Sequence, residues 1–159
     1  MNYFEIRDTI KSGDIVFMKR RNGKFNFWHK LITLFTKGPF WHVGVAFWAI
    51  DKVSGIPRLY ILEAYDGGRR IVNLGFYRNY ELEVIESPRE WTEYAEEALS
   101  RVGEVEYGYL DFIAIGLKEK FGIKLTNFKG EVCSEFVATL LNLEDDLLSP
   151  NKLYEQLKK

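Results

Sequence analysis

Trp41-His42-Val43-Gly44-Val45-Ala46-Phe47-Trp48-Ala49-Ile50 is the most strand-like run in the chain. Its β-branched and aromatic residues suit a pleated, buried surface, and it is far shorter than the roughly 20 apolar residues needed to span a bilayer. Upstream, a short helix is expected through about Ile10, then a turn at Ser12-Gly13-Asp14 and a strand, Ile15-Val16-Phe17-Met18. A basic loop over residues 19–24 leads to an apolar stretch at helical spacing over residues 25–35, which Gly38-Pro39 stops. Downstream, residues 59–65, 70–74 and 82–85 read as further strands, the first two joined through Asp66-Gly67-Gly68. Successive short connections predict an antiparallel meander.

The pattern turns helical at Ser87-Pro88-Arg89-Glu90, where Ser87 can cap, Pro88 suits the first helical position and Glu90 completes a capping box. Trp91, Tyr94, Ala95, Ala98, Leu99 and Val102 then share one face, and Gly103 ends the helix. Helices are also expected over residues 110–120 and 133–143, with a short C-terminal helix starting at Ser149-Pro150 after the acidic Glu144-Asp145-Asp146. Strands in the first half and helices in the second define an α+β chain, a small antiparallel sheet packed against helices in one domain over residues 1–159. With 47% hydrophobic and 16% aromatic residues, 159 residues can bury a core without disulfides or metal.

Twenty-two basic against 23 acidic residues leave no field to draw in a polyanion, so no nucleic-acid partner is expected. One cysteine and two histidines, with no pair at ligand spacing, give no metal site, and no glycine-rich loop offers a phosphate cradle; no cofactor is expected. Residues 1–8 lack the basic-then-apolar pattern of a secretory signal, which makes the cytoplasm the expected location.

Cys133, the single cysteine, lies in Gly130-Glu131-Val132-Cys133-Ser134-Glu135-Phe136-Val137, where a glycine break precedes an apolar helix. On a first helical turn, unpaired N–H groups and the positive end of the helix dipole favour thiolate over thiol. A nucleophile needs a base. His29 has only Phe25 and Thr33 at i±4, whereas His42 opens the strand quoted above. Glu63 is a carboxylate inside the apolar strand over residues 59–65. Simple register counting puts His42 level with residue 66, and a bulge or longer loop would bring Glu63 beside it. A carboxylate on one ring nitrogen would orient His42 and leave the other to take the thiol proton. The competing readings are a buried core cysteine, a histidine satisfied by a backbone carbonyl, and a Glu63 that reaches solvent or pairs with Arg69 or Arg70.

In the order His42, Glu63, Cys133, the chain resembles the circularly permuted branch of the NlpC-type papain-like superfamily, especially its YiiX-like proteins. Gly13-Asp14-Ile15-Val16-Phe17 is similar to that family's opening strand, Trp41-His42-Val43-Gly44-Val45 to its histidine strand and Leu62-Glu63-Ala64 to its third-residue strand. Val132-Cys133-Ser134-Glu135-Phe136-Val137 resembles its nucleophile helix, Tyr107 in Glu106-Tyr107-Gly108-Tyr109 its upstream tyrosine, and Ser149-Pro150-Asn151-Lys152-Leu153-Tyr154 its closing segment. The resemblance implies a papain-like core with the usual Cys-then-His order reversed, and a cysteine peptidase or amidase working through a thioester. Catalysis would rest on Cys133, His42 and Glu63, with the Cys133 N–H and the Tyr107 hydroxyl holding the oxyanion and Tyr109 competing for the latter role. The implied substrates are peptides, cell-wall peptides or acyl amides. Lipid-acting relatives make an acyltransferase, thioesterase or phospholipase the alternative enzyme, and a catalytically inactive binding module is the non-enzymatic one. The aromatic residues Phe25, Phe27, Trp28, Phe35, Phe40 and Trp41 would line a groove for a lipid or else belong to the core. Wall-acting relatives are usually exported, so release by lysis or a dedicated secretion route stands beside the cytoplasmic expectation.

Overall fold

In the computed structural model, residues 1–19, 38–65, 68–103, 132–143 and 148–159 are described. They form five strands, β1 (Ile15–Lys19), β2 (Phe40–Ile50), β3 (Pro57–Tyr65), β4 (Gly68–Asn73) and β5 (Glu81–Ile85). Four helices occur among the described residues: α1 (Tyr3–Ile6), α2 (Trp91–Ser100), α3 (Cys133–Leu140) and α4 (Pro150–Leu157). The fold is α+β, with one antiparallel sheet ordered β4-β3-β2-β1-β5. The helical stretches expected over residues 25–35 and 110–120 lie outside the described residues, as does the acidic segment 144–146. No helix among the described residues is long and apolar enough to cross a membrane.

The meander expectation holds for β1 to β4 and fails for β5. Instead of pairing with β4, β5 crosses to the opposite edge and pairs with β1, Ile15 opposite Ile85. The connection explains why: a 3₁₀ turn, Leu74–Tyr77, buries Leu74 and Tyr77 against the sheet. That segment covers the second face instead of turning a hairpin.

Strand alternation feeds two cores. On one face Ile15, Phe17, Val43, Val45, Phe47, Leu62 and Ala64 pack with Tyr94 and Ala98 of α2, Phe136 and Val137 of α3 and Leu153 of α4. On the other, Val16, Met18, Ala46, Leu59 and Ile61 meet Tyr3 and Ile6 of α1 together with Leu74 and Tyr77. Covered on both sides, β2 reads as a continuous apolar run.

Two helix boundaries depart from the sequence reading. Helix α2 starts at Trp91, not Pro88, and its N-cap Glu90 makes no side-chain cap. Ser87 Oγ accepts the Arg89 N–H in a local turn, and Arg89 Nη1 donates to the Leu140 carbonyl at the end of α3, 2.6 Å away. Tyr94 and Ala98 are buried as expected, whereas Leu99 and Val102 are 39% and 36% exposed. Helix α3 stops at Leu140, and Asn142 takes the left-handed conformation, φ 55°, that closes helix ends. Helix α4 begins as its sequence implies, with Pro150 in the first turn and Ser149 Oγ accepting the Lys152 N–H.

Candidate functional site

The site starts from an irregularity in β2. Met18 pairs with His42, but Lys19 pairs with Phe40, so Trp41 is one residue more than β1 can match. This β-bulge leaves the Trp41 and His42 rings stacked at 5.2 Å, 24° apart, with Trp41 Nε1 donating to the Lys19 carbonyl. Both Phe40 and Trp41 are buried, one in each core. Of the proposed aromatic groove, these two are therefore core residues, and Phe25, Phe27, Trp28 and Phe35 lie outside the described residues.

The β2–β3 ladder runs from Ile50/Pro57 only as far as Val45/Leu62. Continued by three residues, that register sets His42 level with Tyr65, one residue from the expected level, and Glu63 level with Gly44. His42 and Glu63 are then diagonal neighbours on one face. Their side chains meet directly, Nε2 to Oε2 at 2.8 Å. Gly44 makes the close strand approach here: a Cβ on it would lie 2.7 Å from Ile61 Cγ1 and 2.8 Å from the Leu62 carbonyl oxygen.

Glu63 is fully buried and fully engaged. Arg70, its ladder partner on β4, donates to Oε1 from Nε at 2.8 Å, and Nη2 lies at the same distance. The Tyr77 hydroxyl is within 2.9 Å of Oε1 and 2.8 Å of Oε2. Burial pushes the Glu63 carboxyl up, but His42, Tyr77 and Arg70 outweigh it and hold the group below its ordinary value. Burial and the neighbouring carboxylate push the Tyr77 phenol up, keeping it a hydrogen-bond donor. Around His42 burial opposes the charged ring, yet Cys133 and Glu63 overcome it and raise the imidazole to about 10.

Cys133 is the first residue of α3, after the N-cap Val132, whose N–H is taken by Glu135 Oε2. It lies close enough to His42 to act on the ring, where it favours the protonated imidazole. Since Nε2 is held by Glu63, Nδ1 is the nitrogen left for the thiol. Cys133, His42 and Glu63 thus form one line, all at 1% exposure or less. A substrate reaches Sγ only when part of this surround opens.

Of the residues read from sequence, Cys133, His42 and Glu63 are brought together; Tyr107, Tyr109 and His29 lie outside the described residues. Arg70, first read as a competitor for Glu63, binds it at the same time as His42. Tyr77 went unread because nothing local marks a buried tyrosine on a crossing segment as a carboxylate ligand. No group of three or more metal-ligating side chains occurs among the described residues.

Fold and site together define an α+β protein with a buried Cys–His–Glu line at the meeting of a helix N-terminus and a sheet. No protein-family model matches the chain, and neither does any curated protein.

Proposed function

We propose that this chain is a cysteine-dependent hydrolase of the permuted papain-like type, cleaving an amide bond of a peptide, cell-wall peptide or acyl-amide substrate. The observation that carries the proposal is the buried His42–Glu63 bond at 2.8 Å, fixed from behind by Tyr77 and Arg70, with Cys133 on the first turn of α3 acting on the same ring. In the proposed reaction the Cys133 thiolate attacks the carbonyl carbon, and the oxyanion is met by N–H groups of the first turn of α3. His42 then gives its proton to the leaving amine as the C–N bond breaks, leaving a thioester. Water, deprotonated by the neutral ring, cleaves the C–S bond, releases the acid and returns the proton to the pair. Glu63 holds the ring by Nε2 throughout.

Full burial of Cys133 favours a second reading, a binding module that keeps the triad without turnover. Intact-mass kinetics of iodoacetamide labelling from pH 5 to 9 separate the two. The hydrolase is expected to label well below the ordinary thiol value of about 8.5, with the low-pH reaction lost in His42→Ala, and to hydrolyse amides in a way that Cys133→Ala abolishes. Labelling that follows an ordinary thiol, unchanged by His42→Ala, overturns the hydrolase.

A further inference from the structure

The nucleophile and its base come from segments far apart in the chain, yet both are tied to the same short stretch, residues 148–151. On the nucleophile side, Ser134, adjacent to Cys133 and fully buried, donates its hydroxyl to the Leu148 carbonyl. On the histidine side, the Asn151 carboxamide pairs with Phe40 in both directions. Its Oδ1 accepts the Phe40 N–H at 3.0 Å, and its Nδ2 donates to the Phe40 carbonyl at 3.0 Å. Ser149, between them, caps α4 and so fixes the direction in which Asn151 leaves the first turn.

The placement of Asn151 follows from the split in the sheet. β3 pairs with β2 only as far as Val45, so nothing on β3 serves the backbone of Phe40. A carboxamide presents one acceptor and one donor side by side, the pattern of a strand residue, and Asn151 supplies that pattern two residues before His42. The approach is close enough to require glycine nearby: a Cβ on Gly38 would stand 2.1 Å from Asn151 Oδ1.

We infer that Asn151 and Ser134 are positioning residues that hold Cys133 and His42 in register, so that residues 148–151 staple the nucleophile helix to the bulged histidine strand. The inference rests on the hydrolase reading and assigns a role to the closing segment that the chemistry alone leaves idle. Both side chains bond backbone groups. Ser134 acts from the position beside Cys133 and Asn151 from two residues before His42, and at a reacting side chain a displacement of about 1 Å costs on the order of a hundredfold in rate.

The test is the ratio of iodoacetamide labelling rates at pH 6 and pH 9, since the ratio removes differences in access to the buried thiol. It is measured for the native chain, Asn151→Ala, Ser134→Ala and Tyr154→Phe, each well below its melting temperature. Tyr154→Phe is the control, because it removes only the hydroxyl that anchors the same helix to Glu83 on β5 and keeps the ring packed on Phe40. Asn151→Ala is expected to lower the ratio about tenfold and Ser134→Ala by a smaller factor, with Tyr154→Phe lowering only the melting temperature. An Asn151→Ala ratio equal to the native one, or an equal fall in Tyr154→Phe, overturns the staple while leaving the hydrolase standing. A native ratio that is already that of an ordinary thiol overturns both.

Discussion

Between Val45/Leu62 and Ile50/Pro57, β2 and β3 keep an unbroken ladder and end in a hairpin that carries Ile50, Val53 and Ile56 into solvent. Three residues the other way, the ladder has stopped, and two fully buried ionisable groups, His42 and Glu63, meet where it would have continued. At the hairpin end, backbone hydrogen bonds hold the strands and side chains are nearly free to vary. At the other, the ladder no longer joins the strands, and each polar group depends on a particular partner. A buried charge that loses its partners keeps its desolvation cost, so the two ends should differ sharply in their tolerance of substitution.

Glu63→Ala is expected to give the largest effect. It removes the shared acceptor of His42, Tyr77 and Arg70, and a loss of about 3–5 kcal/mol at neutral pH is expected in urea denaturation. The pH dependence carries a second signature. His42 is raised from 6.5 to about 10, so its contribution is fully present below pH 6.5 and is lost as pH rises through about 10. Glu63 is held below its ordinary 4.5, so its contribution is present above that pH and is lost as pH falls through the lower native value. Denaturation across pH should show stability falling on both sides in the native chain, and a shallower alkaline fall in Glu63→Ala. Equal alkaline slopes in the two would mean that the carboxylate does not act on the ring.

A smaller loss is expected from Gly44→Ala, on the boundary between the two ends. Its Cβ would meet both the Ile61 side chain and the backbone oxygen of Leu62, the residue before Glu63. Ile61 can turn, but the carbonyl can move only if β3 moves. About 1–3 kcal/mol of destabilisation is expected, accompanied by loss of labelling at pH 6, because the shift carries Glu63 away from His42. Loss of stability with native labelling would show that the triad does not depend on this strand spacing.

What was legible from residues divides along the same line. The strands announced themselves through β-branched and aromatic runs, and the first-turn cysteine, strand-end histidine and strand-interior carboxylate stood out because each breaks a local pattern. Register arithmetic came within one residue of placing His42. The destination of β5 did not show, because Gly75 and Asn79 interrupt the strand pattern between residues 74 and 80 whether the segment closes a hairpin or crosses a face. For the same reason Tyr77 was invisible: its role exists only once that crossing brings it under Glu63. The start of helix α2 was set three residues early because Ser87, a residue type that caps helices, here accepts the Arg89 N–H in a turn, and Glu90 makes no side-chain cap.

The hairpin tip should show the smallest effect, and there the comparison is easiest to break. Val53 is 99% exposed, and the turn is held without it: Asp51 Oδ1 accepts the Val53 and Ser54 N–H groups and the Ser54 hydroxyl. The Gly55 N–H bonds the Asp51 carbonyl, with Gly55 at φ 68°, a conformation that suits glycine. Only the backbone of Val53 is used, so Val53→Asp should change stability by no more than about 0.5 kcal/mol and leave the labelling profile unchanged. A loss above about 1 kcal/mol would mean that the tip is packed against a surface in solution, since an aspartate in open water has nothing to desolvate. The ladder end would then be as exacting as the triad end, and tolerance in this sheet would follow burial by a partner instead of the kind of bond that joins the strands.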